Sequence, residues 1–231
     1  MWRLSLLILL ALAACRQEGS RVSQLPLYNE DTLTRQPAGN FDLLVHQYED
    51  PQRQTWQDPA FVIEALVDLQ GLTVADIGAG TGYFTFQVAA PAHKVIAVDI
   101  EQRFLNYIED RKAEMYDRKL ADKIETRLTT ATDPGLDTAE TDVVLMVNTI
   151  AYINPRRAYL VRLRTGIKPG GRLVIVDFKP GKLPVGPDDE NKVAAAAVMA
   201  DLRQAGFLID KLDTVNLQYQ YLIRAINPGT P

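Results

Sequence analysis

Residues 74–100 read VADIGAGTGYFTFQVAAPAHKVIAVDI, and their order of residue types decides the fold. Val74, Ala75, Asp76 and Ile77 form a short apolar run of the kind that makes a buried strand. Gly78, Gly80 and Gly82 follow as a tight bend, because closely spaced glycines admit backbone conformations other residues avoid. Thr81–Ala89 is expected as a helix, and Val95–Val98 as a second strand that ends on Asp99.

Working outward, alternation continues to the end of the chain. Upstream, Phe61, Val62, Ala65, Leu66 and Leu69 fall at helical spacing within Trp56–Leu69, with Asp58 as N-cap, Pro59 in the first turn and Gly71 as the stop. Phe41–Glu49 starts a short helix before Asp50 and Pro51. Downstream, a charged helix is expected over Glu101–Ala121, a strand over Ile124–Leu128, a loop over Thr129–Glu140 and the strand VVLMV within Asp142–Asn148. A helix over Pro155–Thr165, a turn at Lys168–Gly171 and the strand Arg172–Phe178 follow. Past the Lys179–Glu190 loop come a helix over Asn191–Ala205 and two final strands, Phe207–Thr214 and Gln218–Ile226. Alternating strands and helices predict an α/β, doubly wound, mostly parallel seven-stranded sheet with an antiparallel C-terminal strand and helices on both faces.

The chain has 231 residues, 47% of them hydrophobic, enough for one sizeable core and too few for two full domains. Its 25 basic and 29 acidic residues give no cationic surface for a phosphate backbone, so a nucleic acid partner is disfavoured. The N-terminus is of another kind. Arg3, the run Leu4–Ala14 (apolar except Ser5) and the small residues Ala13 and Ala14 have the parts of a secretory signal, and the run is too short for a permanent span. Leu12-Ala13-Ala14-Cys15 resembles the bacterial lipobox, which implies cleavage before Cys15, lipid on Cys15 and attachment to the cell envelope. With Arg16 next, the resemblance implies the periplasmic face of the outer membrane if the source is Gram-negative. An ordinary signal peptide or an uncleaved start are the other readings. Residues 1–14 are thus read as leader, 15–40 as a lipidated cysteine and polar tether, and 41–231 as a single domain.

On a doubly wound sheet, ligands sit beyond the carboxyl ends of the strands where the strand order reverses. Gly78, Gly80 and Gly82 lie there, and Asp99 stands about 20 residues on, where dinucleotide sites place an acid on ribose hydroxyls. The third glycine of a dinucleotide fingerprint, however, is replaced by Tyr83, which argues against a nicotinamide oxidoreductase.

DIGAGTGYF resembles the first motif of the class I S-adenosylmethionine-dependent methyltransferases, and the resemblance continues through VIAVDI, ETDVVLMVN and LRTGIKPGGRLVIVDF, from about Phe61 onward. It implies S-adenosylmethionine as cofactor and methyl transfer as the reaction. Asp76 would face the methionine amino group, Gly78, Ala79, Gly80, Gly82 and Tyr83 would wall the amino-acid and sugar part, and Asp99 would accept from the ribose hydroxyls. Ile100 would cover adenine, Ala131, Thr132 and Asp133 would contact its edge, and Asn148 would lie beneath the methyl donor. Because the sulfonium already activates the methyl group, no base is required, and the catalytic residue stays open among Tyr83, Asn148, Tyr152 and Asp177, with His46 as a more distant candidate. His93 reads as a surface residue on the opposite edge.

YEDPQRQTW, Tyr48–Trp56, resembles a cluster that precedes the first core helix in a subgroup of these enzymes, and implies a lid in which Arg53 pairs with an acid or the cofactor carboxylate. The plainer reading packs Trp56 on the first helix and leaves Arg53 in solvent. Asn148-Thr149-Ile150-Ala151 departs from the motif of amide and adenine methylation, and no acid and histidine cluster has metal-ligand spacing. The acceptor is therefore expected to be a small molecule or a protein side chain. The alternative is a non-catalytic S-adenosylmethionine-binding or structural lipoprotein.

Overall fold

The computed structural model describes residues 38–229. The leader, Cys15 and nearly all of the tether lie outside the described residues. Three helices, α1 (Ala38–Tyr48), α2 (Arg53–Trp56) and α3 (Pro59–Ala65), precede β1 (Thr73–Ile77). Then come α4 (Thr85–Ala89), β2 (Lys94–Asp99), α5 (Gln102–Glu114), α6 (Arg118–Ala121), β3 (Ile124–Leu128) and β4 (Thr141–Val147). After these lie α7 (Arg156–Gly166), β5 (Ile167–Phe178), α8 (Ala195–Gln204), β6 (Leu208–Asp213) and β7 (Gln220–Ile226).

The strands form one 7-stranded sheet in the order β3-β2-β1-β4-β5-β7-β6. β1 to β5 are parallel, while β7 runs antiparallel to both β5 and β6. The period-2 alternation of each strand splits the core into two halves. Ala75, Ile77, Met146, Ile175 and Ile223 pack with Leu160 and Leu163 of α7 and Val198 and Leu202 of α8. Val74, Val95, Leu145, Val176 and Leu222 pack on the other face with Val62 of α3, Val88 of α4 and Ile108 of α5. The chain runs outward from β1 to β3 and then returns to place β4 beside β1, so the reversal of strand order falls between the ends of β1 and β4.

Several elements differ from the sequence reading at their ends. The helix expected from Thr81 begins at Thr85, because Gly82 at φ +80° holds the preceding turn outside helical geometry. The helix expected within Trp56–Leu69 ends at Ala65, with Leu66 as its C-cap and Val67 at a left-handed φ of 66°. Asp58 does cap α3, its carboxylate accepting from the Phe61 amide at 3.2 Å, with Pro59 following. The charged helix after Asp99 stops at Glu114 because Met115 is extended, and Asp117 caps the separate α6. α8 starts at Ala195 rather than Asn191. The Lys168–Gly171 turn lies inside β5 as an irregularity: Thr141 pairs with Ile167, and the ladder resumes at Val143 with Arg172. Asn227 closes that irregularity, its Nδ2 donating to the Ile167 carbonyl at 2.7 Å.

Candidate active site

The bend begins while β1 is still tied to its neighbour. The amides of Gly78 and Ala79 both donate to the Val98 carbonyl, at 2.9 and 3.1 Å. Gly78 has φ +74°, and a Cβ there would come within 2.4 Å of Thr149 Oγ1. The chain can thus lie against the loop after β4 only with glycine at that position. Gly80 has φ +54° and faces the Tyr48 ring, which a Cβ would approach to 3.2 Å.

Two buried carboxylates flank the bend. Asp99, at the end of β2, is 8% exposed and accepts from the Gly80 amide at 2.8 Å and the Glu101 amide at 2.9 Å. Burial raises its pKa, against the lowering effect of those backbone donors. Asp76, 3% exposed, accepts from Thr85 Oγ1 at 2.7 Å, and burial pushes its carboxyl up to about 6, with the Thr85 hydrogen bond pulling the other way. Ile100 is half-buried beside them. The Thr129 amide donates to the Asp99 carbonyl at 3.0 Å, which brings the Ala131–Asp133 loop to the same edge. There Asp133 is engaged with the Gly135 amide at 2.9 Å and Arg162 at 2.6 Å, while Thr132 is exposed.

Across the reversal point, Asn148 takes φ +57° at the end of β4, and its amide donates to the Val176 carbonyl at 2.8 Å. Its side chain accepts from Gln220 Nε2. Thr149 Oγ1 lies 3.2 Å from the Ile77 carbonyl and 3.0 Å from that of Val147. Asp177, 2% exposed, accepts from the Phe178 amide at 2.7 Å and the Ala151 amide at 3.3 Å. Burial first, opposed by these amides, moves its carboxyl up to about 7. The half-buried Tyr152 phenol is also raised, by burial and then by the nearby Tyr48 and Asp177.

The segment Tyr48–Gln57 lies over the glycine bend. The Tyr48 ring stacks on Phe104 of α5 with centroids 5.3 Å apart, and burial followed by the Asp99 charge pushes its phenol up to about 12. Arg53 is buried rather than solvated: its guanidinium lies 4.0 Å from the Tyr83 ring centroid, and it donates to Gln57 Oε1 at 2.8 Å and to the Tyr48 carbonyl. Burial lowers its pKa, opposed by Tyr83, Glu49, Tyr48 and Asp76. Trp56 packs on Phe178 at the end of β5, centroids 5.6 Å apart. Glu49 pairs with Arg111 at 3.1 Å, fixing the segment to α5.

Asp76, Gly78, Ala79, Gly80, Gly82, Tyr83, Asp99, Ile100, the 131–133 loop and Asn148 therefore converge on one edge of the sheet, with Tyr152 and Asp177 beside them. His46 is exposed, and His93 lies at the opposite edge, its amide bonded to the Leu72 carbonyl at 2.9 Å. The sequence reading did not single out Gln57, Thr149 or Gln220 as site residues. For Thr149 the signal was available, since a small residue opposite a glycine at the reversal point marks a close loop crossing.

The cradle suits S-adenosylmethionine. Gly78 and Gly80 let the bend lie closely under Thr149 and the Tyr48 ring, and Asp99 is a buried acceptor for a vicinal diol. Arg53 and Asp76 supply opposite charges for a zwitterionic amino acid.

Residues 75–173 match the family model described as a methyltransferase domain. Demethylmenaquinone methyltransferase of Tropheryma whipplei is 33% identical over 117 residues, 51% of this chain and 46% of that protein. The Clavibacter sepedonicus enzyme of the same name is 30% identical over 123 residues, 52% of this chain and 47% of its own. The chain thus spans about half the length of these relatives. Among solved structures, a SAM dependent methyltransferase from Aquifex aeolicus aligns with TM-score 0.72 and 22% identity, covering 83% of this chain and 99% of its own. A putative methyltransferase from Bacillus halodurans aligns with TM-score 0.60 and 14% identity, covering 75% and 100%. Residues 75–173 thus match a methyltransferase domain, and the strand order places that stretch in a fold shared with methyltransferases of known structure.

Proposed function

We propose that the protein is an S-adenosylmethionine-dependent methyltransferase acting on a small-molecule or protein acceptor, and that lipid on Cys15 holds it at a membrane of the bacterial cell envelope. The observation that carries the enzymatic reading is the pairing of the side-chain-free bend at Gly78 and Gly80 with the buried carboxylate of Asp99. When bound, the cofactor supplies a methyl group already activated by the sulfonium. The chain's part is to bind and orient. Asp99 accepts from the ribose hydroxyls, Arg53 faces the carboxylate, Asp76 the amino group, and Ile100 with the 131–133 loop encloses adenine. Tyr48 and Tyr83 exclude water from above the bend, so that alignment of acceptor and methyl donor lowers the barrier without a dedicated base.

Calorimetric titration with S-adenosylmethionine and S-adenosylhomocysteine tests the cofactor assignment, and absence of binding to the folded protein rejects it. Binding without any transfer of labelled methyl to envelope extracts supports the non-catalytic alternative. The anchor rests on Leu12-Ala13-Ala14-Cys15 and the apolar run before it. Labelled palmitate incorporation should be lost in Cys15→Ser, and uptake that survives the substitution excludes Cys15 as the site.

A further inference from the structure

Two buried carboxamides beside the carboxyl end of β5 each keep one atom without a partner. Gln57 is 0% exposed; its Oε1 accepts from Arg53 Nε, and its Nε2 is buried and unpaired. Gln220, also 0% exposed, donates from Nε2 to Asn148 Oδ1, and its Oε1 is buried and unpaired. One aromatic pair joins them. Gln57 follows Trp56, Trp56 packs on Phe178, and Phe178 is the register partner of Gln220 across β5 and β7.

An unpaired polar atom inside a protein costs roughly 1–3 kcal/mol, so folded chains seldom keep one without a use. Here the orphan donor belongs to the residue after Trp56, and the orphan acceptor to the register partner of Phe178. Exchanging the amide assignments of Asn148 and Gln220 together would turn the second orphan into a donor without satisfying it. The charged groups nearby are already engaged: Arg53 with Gln57, the Tyr48 carbonyl and the Tyr83 ring, and Asp177 with two backbone amides. The two atoms left unpaired here are therefore neutral and polar, on residues next to Trp56 and Phe178.

We propose that Gln57 and Gln220 are the polar contacts of the methyl-acceptor subsite, and that this subsite takes a neutral planar molecule carrying both a hydrogen-bond donor and an acceptor. The assignment to a methyl acceptor rests on the methyltransferase reading. The carboxamides pair with the ligand's polar groups while the half-buried Trp56, backed by Phe178, packs on its ring.

Trp56 gives the test its reporter. The chain has 2 tryptophans, so Trp2→Phe leaves Trp56 alone. The full chain with this change is titrated, with and without S-adenosylhomocysteine, against 4-hydroxyacetophenone, its 4-methoxy analogue lacking the donor, and the anion 4-hydroxybenzoate. Saturable change in Trp56 emission is expected with 4-hydroxyacetophenone, and affinity at least about tenfold weaker for the other two. Gln57→Met and Gln220→Met keep side-chain length and remove the open atom. Each should weaken 4-hydroxyacetophenone about tenfold or more beyond any change in S-adenosylhomocysteine affinity, with a thermal melt confirming the fold. Equal affinity in both variants, preference for the anion, or no response to any probe overturns the subsite. Probe binding that depends on both glutamines without any S-adenosylhomocysteine binding keeps the subsite and rejects the methyltransferase reading instead.

Discussion

The Gly80 amide donates to Asp99 Oδ2 at 2.8 Å, so the bend after β1 and the acid ending β2 hold each other in place before any ligand arrives. One carboxylate oxygen orients the bend, and the other accepts from Glu101. Asp99→Asn keeps one acceptor oxygen and loses the charge. A charge-assisted hydrogen bond contributes about 1.5–3 kcal/mol, so S-adenosylhomocysteine affinity should fall about tenfold to a hundredfold, and the thermal midpoint should fall as well because the new NH2 group faces a backbone N–H. Calorimetry reads the first and circular dichroism the second.

Gly78→Ala should fail differently. At φ +74° a side chain costs about 1–2 kcal/mol from backbone strain, and its Cβ would sit 2.4 Å from Thr149 Oγ1. Loss of both stability and cofactor binding is expected, with the urea midpoint lowered. Thr149→Ala in the same chain removes the two nearest atoms, leaving Cβ at 3.1 Å, and should recover part of the midpoint; no recovery would show that the contact with Oγ1 and Cγ2 is not the cause.

The buried acids set a pH dependence of known sign. Their ordinary value is 3.8, whereas burial holds Asp76 near about 6 and Asp177 near about 7 in the fold. Between about pH 4 and 7 the native protein binds more protons than the unfolded chain, so their contribution to stability falls as pH rises through that window. Asp177→Asn should flatten the slope, by at most about 1.4 kcal/mol per pH unit. Urea titrations at intervals from pH 5 to 8 check this, and an unchanged slope would assign it elsewhere.

Arg53 ties three parts of the roof through Tyr83, Gln57 and the Tyr48 carbonyl. Arg53→Met removes the fork and leaves the carbonyl and amide acceptors unpaired. Proteolysis within residues 48–57 should accelerate, and Arg53→Lys should rescue it poorly, because an ammonium lacks the planar fork and stacking face. By contrast Glu49→Gln, in a partly exposed pair with Arg111, should change stability by only about 0.2–1 kcal/mol.

The glycine bend, Asp99 and the strand order were legible because each depends on local chemistry: missing side chains, a fixed spacing, and a period of two or of helical turns. Helix ends were less so. Val67 and Gly82 bound helices by adopting left-handed backbone that nearby packing selects, and apolar periodicity does not register this. The roof was visible only as a cluster of residue types in YEDPQRQTW. Its seating depends on Glu49 meeting Arg111, 62 residues away, and Gln220 reaches Asn148 across 72. Pairings at such separations leave no periodic trace.

The contact between Gly78 and Thr149 has a thermodynamic consequence. One belongs to the loop that follows β1, the other to the loop that follows β4, and the Thr149 hydroxyl also meets the Ile77 carbonyl. The two loops are packed and hydrogen-bonded to each other where the strand order reverses, so a ligand that displaces one acts on the other. By linkage, whatever factor the first ligand applies to the affinity of the second is returned by the second to the first.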